Sequence, residues 1–211
     1  MDELLSSNEL YGEELDHLGL VSATIKRCGL IEQIDDLIPV SWSKGAKTSH
    51  GQRIAAMILN GLGFIDDRLY MFEHFLDNKP VEALIGKGLK ASYFNDDALG
   101  RTLDSVHQYG VSNFVAEVVW SIGMQQGLLD RFSHVDTTTL SVYGDYESSD
   151  EAAQTRPAYG YSKQKRVDLK QMILLHATNG PAHLPIWMNA HSGNASDTKT
   201  LPQAAARIEA Y

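Results

Sequence analysis

From Leu18 onward, apolar residues recur at intervals of three and four. Leu18, Val21, Ile25 and Cys28 mark one helix face, and Ile31, Ile34, Leu37 and Ile38 a second. Gly29 divides the two helices, and Pro39 ends the second. Ser49 is placed to cap a helix over about Gly51–Leu62, with Ile54, Met57, Ile58 and Leu62 as its apolar face. LYMFEHFLDN reads as a short amphipathic helix, and PVEALIG follows with Pro80 at a first helical position. Asn95 or Asp96 caps a helix from about Asp97 to Tyr109, carrying Leu99, Leu103 and Val106 and ended by Gly110. Ser112 is the expected cap of a further helix over VSNFVAEVVWSIGMQQG.

Near Arg131 the period changes from helical to two. In FSHVDTTTLSV, residues 132–142, Phe132, His134, Asp136, Thr138, Leu140 and Val142 share one strand face. Ser133, Val135, Thr137, Thr139 and Ser141 share the other, and the β-branched residues favour strand. Two further strands are expected at 171–177 and 183–190, joined by a turn at Asn179-Gly180. Ser196 or Asp197 starts a last helix. The expected class is α+β. A polar tail (1–14) precedes a helical domain (15–130), and residues 131–211 hold three antiparallel strands and a helix.

Asp136 is out of place in a strand, since aspartate is depleted there and a buried carboxylate needs a partner or a metal. An edge-strand aspartate facing water is the plain alternative. The segments HVDTTTLSVYGDY, GYSKQKRVDLKQ and HSGNASDTKT, in that order, resemble the DDE-type transposases of bacterial insertion sequences. The stretches SHGQRIAAMILNGLGF and FNDDALGRTLDSV are similar to the helical domain of one branch of that group.

The resemblance implies an incomplete RNase H-like catalytic domain after an all-helical one. It also implies metal-dependent DNA cleavage and strand transfer at the ends of an element, and a homo-oligomer in the full-length enzyme. Asp136 would be the first of three acidic metal ligands. Two Mg²⁺ ions about 4 Å apart would activate the attacking oxygen and stabilise the leaving one. The second and third acids of the family have no counterpart; Asp145, Asp150, Asp168 and Asp197 do not occupy their motif positions. One carboxylate does not hold two Mg²⁺ against hydration. The chain is therefore expected to be a truncated front half, inactive alone. The alternative function is a non-catalytic module that binds DNA or transposase.

Charge changes this picture in one respect. The formal net charge is −9, yet residues 1–130 carry 10 Lys and Arg against 19 Asp and Glu, and residues 131–211 eight of each. Lys163, Lys165, Arg166 and Lys170 crowd one segment, opposed only by Asp168, and are the candidate DNA-phosphate contacts. In the helical part no expected helix carries a row of Arg and Lys, which weakens a helix-turn-helix reading of residues 48–109.

The single cysteine, Cys28, excludes an internal disulfide and reads as a core residue. No apolar run approaches the roughly 20 residues of a membrane span, and the acidic start is unlike a secretory signal, so a cytoplasmic protein is expected. His134, His176, His183 and His191 leave a zinc-dependent hydrolase as a remote alternative. For that reading, His176 and His183 would meet across the hairpin turn. His134 shares the Asp136 face, to contact that carboxylate or simply to pack.

Overall fold

The computed structural model describes residues 13, 15–63, 68–144, 146, 155–161, 165–196, 201–202, 205–206 and 208. The fold is α+β, with helices in the N-terminal part and a three-stranded antiparallel sheet in the C-terminal part. Two compact units divide the chain, Met1–Gln108 and Tyr109–Tyr211. No helix among the described residues is long and apolar enough to cross a membrane.

The first unit holds α1 (Leu18–Arg27), α2 (Leu30–Leu37), α3 (His50–Gly61), α4 (Phe72–Leu76), α5 (Val81–Leu84) and most of α6 (Asp96–Tyr109). Gly29 separates α1 from α2 at φ 60°, a left-handed backbone that glycine adopts without a Cβ penalty. The core gathers Leu18, Leu59, Phe72, Leu76, Phe94 and Leu99, each almost fully buried.

The start of α3 is built from the SHGQR segment. Ser49 accepts from the Gln52 N–H at 3.1 Å and its own N–H donates to Gln52 Oε1 at 2.9 Å, a capping box. Gly51 lies so close to α2 that a Cβ would sit 2.2 Å from the Ile31 carbonyl, and its N–H donates to Asp35 Oδ1 at 2.7 Å.

The buried face of α3 differs from the expected one. Ala55, Ala56 and Leu59 face the core together with His50 and Arg53, while Ile54, Met57 and Ile58 are half-buried and Leu62 is exposed. Arg53 is 5% exposed and donates to Thr48 Oγ1 and the Thr48 carbonyl, both at 2.8 Å, with longer contacts to the Ala98 carbonyl and Thr102. His50 Nδ1 lies 2.8 Å from Thr102 Oγ1. A polar network thus ties α3 to α6, and hydrophobic periodicity does not register it. Asn95 caps α6 through the Ala98 N–H at 2.9 Å.

The second unit contains α7 (Val111–Gln126) and the sheet β1 (Ser133–Val142), β2 (Lys170–Asn179) and β3 (Leu184–Ser192), in the order β1-β2-β3. Ser112 does not cap α7. The helix follows Gly110 at φ 101°, and Ser112, in its first turn, donates to Asn189 Oδ1 on β3 at 3.3 Å. Ala116 of α7 packs with Leu175, Ala177, Ile186 and Trp187, and the helical residues Leu201 and Ile208 join the same cluster. The switch to strand occurs near Arg131, where the period changes, but α7 belongs to the unit of the sheet it covers.

Candidate functional site

Each strand presents one face to α7 and leaves the other open. On β1, Val135 packs against the core cluster and Thr137 is buried, so the alternate residues His134, Asp136, Thr138 and Leu140 are exposed. Asp136 lies on the edge strand of the described sheet. Its Oδ1 accepts the Thr137 N–H at 2.8 Å.

Directly across from Asp136 is His176 on β2, and across from His176 is Met188 on β3. The open face continues with Leu174 and Ala190 beside Thr138, and Met172 beside Leu140.

His176 and His183 do not meet as a zinc pair would require. The hairpin loop is Gly180–His183 rather than a two-residue turn, and the register shifts between Ala177 and Thr178. His183, at φ 50°, instead lies beside His134, with ring centroids 6.3 Å apart. Asn179 is the buried last residue of β2. Its Nδ2 donates to the carbonyls of Asp130 (2.6 Å) and Phe132 (3.1 Å) and to Ser133 Oγ (2.9 Å), and its Oδ1 accepts the Asp130 N–H (2.7 Å). It fixes where β1 enters the sheet.

Among the described residues no group of three or more His, Cys, Asp or Glu is arranged to hold a metal ion. Asp145, Asp150 and Asp197 lie outside those residues. Asp168 is taken up by Arg166, which donates through Nε (2.9 Å) and Nη2 (2.8 Å) to its two oxygens. That fork holds the Asp168 carboxyl down at about 2, chiefly through its hydrogen bonds. Asp136 therefore fits one oxygen ligand of a hard cation, with the Thr138 hydroxyl on the same face, but not a complete cage.

The basic segment is less available than its sequence suggests. Lys163 lies outside the described residues; Lys165 is exposed at φ 59°; Lys170 donates from Nζ to the Tyr146 carbonyl at 2.8 Å. Arg166 carries Asp168 with it, so that pair is locally neutral.

The motif segments around Asp136 meet at Gln171. Ala158 and Gln171 exchange backbone hydrogen bonds at 3.1 and 2.9 Å, extending the sheet beyond β3. The Gln171 amide donates to the carbonyls of Tyr161 (3.1 Å) and Gly193 (2.8 Å). A Cβ on Gly160 would sit 2.0 Å from the Gly193 carbonyl, and one on Gly193 2.0 Å from the Gln171 carbonyl. The segment from Thr155 runs beside the end of β3, with the Arg156 N–H on Ser192 Oγ at 3.1 Å. Apart from the glycines themselves, no local pattern announces this clasp.

A family model described as a domain of unknown function, DUF4277, matches residues 11–120. The chain belongs to the DUF4277 family. The match covers the first unit and the beginning of α7 and ends before β1, so Asp136 and the clasp lie outside it. No curated protein and no solved structure matches the chain.

Proposed function

We propose that the sheet unit of this DUF4277 protein is the first part of an RNase H-like core of the DDE transposase type, cutting and joining DNA at the ends of a mobile element. The observation that carries the reading is the placement of Asp136. It stands on the first of three sequential antiparallel strands, on the open face and opposite His176 of β2, while the clasp ties the other end of the same sheet at Gln171.

In the proposed chemistry Asp136 would hold one Mg²⁺ through its carboxylate, and that ion would supply charge stabilisation for in-line displacement at phosphorus. The chain's own contribution is positional: ladder bonds to β2 fix the Asp136 backbone, and the Thr137 N–H fixes one carboxylate oxygen. Two metals require further carboxylates beside Asp136. Residues 1–211 alone are accordingly expected not to cleave DNA, whereas a longer product that brings two more acids is expected to do so. The proposal also carries DNA and further copies of the chain as partners, and a cytoplasmic setting.

A second reading, a DNA- or transposase-binding module without chemistry, rests on the described neighbours of Asp136 on the open face, His134, Thr138 and His176, none of which is a carboxylate. Cleavage assays in Mg²⁺ on a protein extended by its downstream coding sequence separate the two. Asp136→Asn is expected to abolish cleavage and strand transfer with DNA binding and unfolding midpoint unchanged. Wild-type strand transfer by Asp136→Asn would remove the catalytic reading.

A further inference from the structure

The far end of the sheet, away from the hairpin turn, carries an unusual group of exposed rings. The Val142–Lys170 and Ser141–Gln171 pairings place Tyr143 beside the start of β2. The Ala158–Gln171 bridge and the Gln171 amide bring Tyr159 and Tyr161 to the same end, and Lys170 holds the Tyr146 carbonyl there. Tyr143, Tyr159 and Tyr161 are 71%, 61% and 91% exposed. Their rings therefore add little to the core. Among the described residues Arg166 interacts with Tyr143, Lys170 begins β2 at this end, and Arg156 and Lys165 lie on the same segments as the rings, against Asp168, which Arg166 holds; the acids at 145, 147, 150 and 151 lie outside those residues.

A flat amphipathic ring kept in water is an affordance for stacking, because every nucleobase offers a π-face, and neighbouring cations suit the phosphates between successive bases. Paired bases inside a duplex are already stacked and do not present those faces. We propose that Tyr143, Tyr159 and Tyr161 form a stacking platform for unpaired nucleotides of DNA, at the end of the sheet where Lys165 and Lys170 meet the backbone. This rests on the reading of the protein as a DNA-processing enzyme and specifies the form of DNA it holds: a single-stranded or opened end rather than an intact duplex.

The test is fluorescence anisotropy of the whole 211-residue chain with a labelled 12-nucleotide single strand and with the same sequence as a duplex. The single strand is expected to bind more tightly. Tyr161→Ala and Tyr159→Ala are each expected to raise its Kd roughly tenfold, with little change for the duplex. Tyr→Phe at either position keeps the ring and is expected to retain binding. Lys165→Gln is expected to reduce the dependence of log Kd on log salt by about 0.7, one single-strand phosphate, in a way the tyrosine variants do not.

Unchanged circular dichroism and tryptophan fluorescence verify that the variants fold. Equal affinity for single strand and duplex, or unaltered Kd in both alanine variants, overturns the proposal. So does a change in oligomeric state by light scattering in place of lost oligonucleotide binding, which would make the rings a self-association surface. The assay reads binding alone. Failure of the Asp136 chemistry would therefore leave a positive stacking result standing, and the reverse would hold equally.

Discussion

Truncating Asn179 tests whether the register of β1 is set from the end of β2. Asn179→Ala deletes four hydrogen bonds, to the Asp130 N–H, the Asp130 and Phe132 carbonyls and Ser133 Oγ. The two Nδ2 hydrogens are shared among three acceptors, so with the Oδ1 contact the set is worth about three full hydrogen bonds, and at about 1 kcal/mol net each the sum is about 3 kcal/mol. Asp130, Phe132 and Ser133 are themselves exposed, so water recovers part of the loss and about 2–3 kcal/mol is expected. For a unit of this size that lowers Tm by about 10–20 °C.

The readout is available in the chain. Trp187 is buried in the sheet core and Trp120 packs on the same cluster, whereas Trp42 is exposed in the other unit. In a Trp42→Phe background, tryptophan fluorescence in urea therefore follows the sheet unit. The midpoint should fall with the slope unchanged. Asn179→Asp sharpens the test. An ionised carboxylate would face the two carbonyls that now receive N–H groups, so the loss relative to wild type should exceed that of Asn179→Ala at pH 7.5. It should shrink at pH 5, where a protonated carboxyl can donate. A loss below about 0.5 kcal/mol for Asn179→Ala, typical of an unremarkable surface change, would refute the reasoning.

Gly193→Ala should destabilise the sheet unit by about 3 kcal/mol or prevent its folding, because a Cβ would stand 2.0 Å from the Gln171 carbonyl and backbone cannot yield as a side chain can. Gly61→Ala, where the added Cβ meets nothing within 4 Å, is the matched control in urea denaturation. His50 should make the helical unit acid-sensitive. Burial first, and then the Arg53 charge, push its pKa below the ordinary 6.5, while Asp35 opposes. A base with a depressed folded pKa stabilises the neutral fold fully above 6.5, and that contribution falls as pH drops from 6.5 toward the folded value. Circular dichroism in urea should show a lower helical midpoint at pH 5.5 than at 7.5, and His50→Gln should flatten the difference; an equal pH response in the variant would remove His50 as its source.

Helix positions were readable wherever punctuation was strong. Gly29, Ser49, Asn95 and Gly110 each stand at or beside a boundary for a local backbone reason, which is information a sequence contains. Side-chain faces were less readable. Periodicity weighs Ile54 and Met57 above Arg53 and His50, yet the buried α3 surface is small alanines plus a charged group whose donors are met by Thr48 and by α6. Those partners lie up to 49 residues away and leave no local trace. The same holds for Ser112, which resembles a cap but serves β3, and for Asn179, which resembles a turn residue but anchors the β1 entry. At the candidate site, the alternation that exposes Asp136 was readable. The occupation of Arg166 by Asp168 two residues on was visible only as a nearby opposite charge.

The clasp changes what the motif segments themselves can be taken to mean. Gly160, Gln171 and Gly193 are required by backbone approach and by two carbonyls that need a donor, so folding alone accounts for them. They would be retained in a protein of this fold with or without chemistry, and their presence is an argument about architecture. Asp136 is different in kind. It sits on the open face, outside the core cluster and outside the clasp, in a strand that would form at least as well with a β-branched residue there. Asn at that position keeps the acceptor for the Thr137 N–H and removes only the charge. Asp136→Asn should thus be nearly silent in stability, within about 0.5 kcal/mol, whereas Gly193→Ala is not. A residue that folding does not require, placed where a strand disfavours it, points to a role in binding or chemistry, and that asymmetry ties the proposed function to position 136 rather than to the motif as a whole.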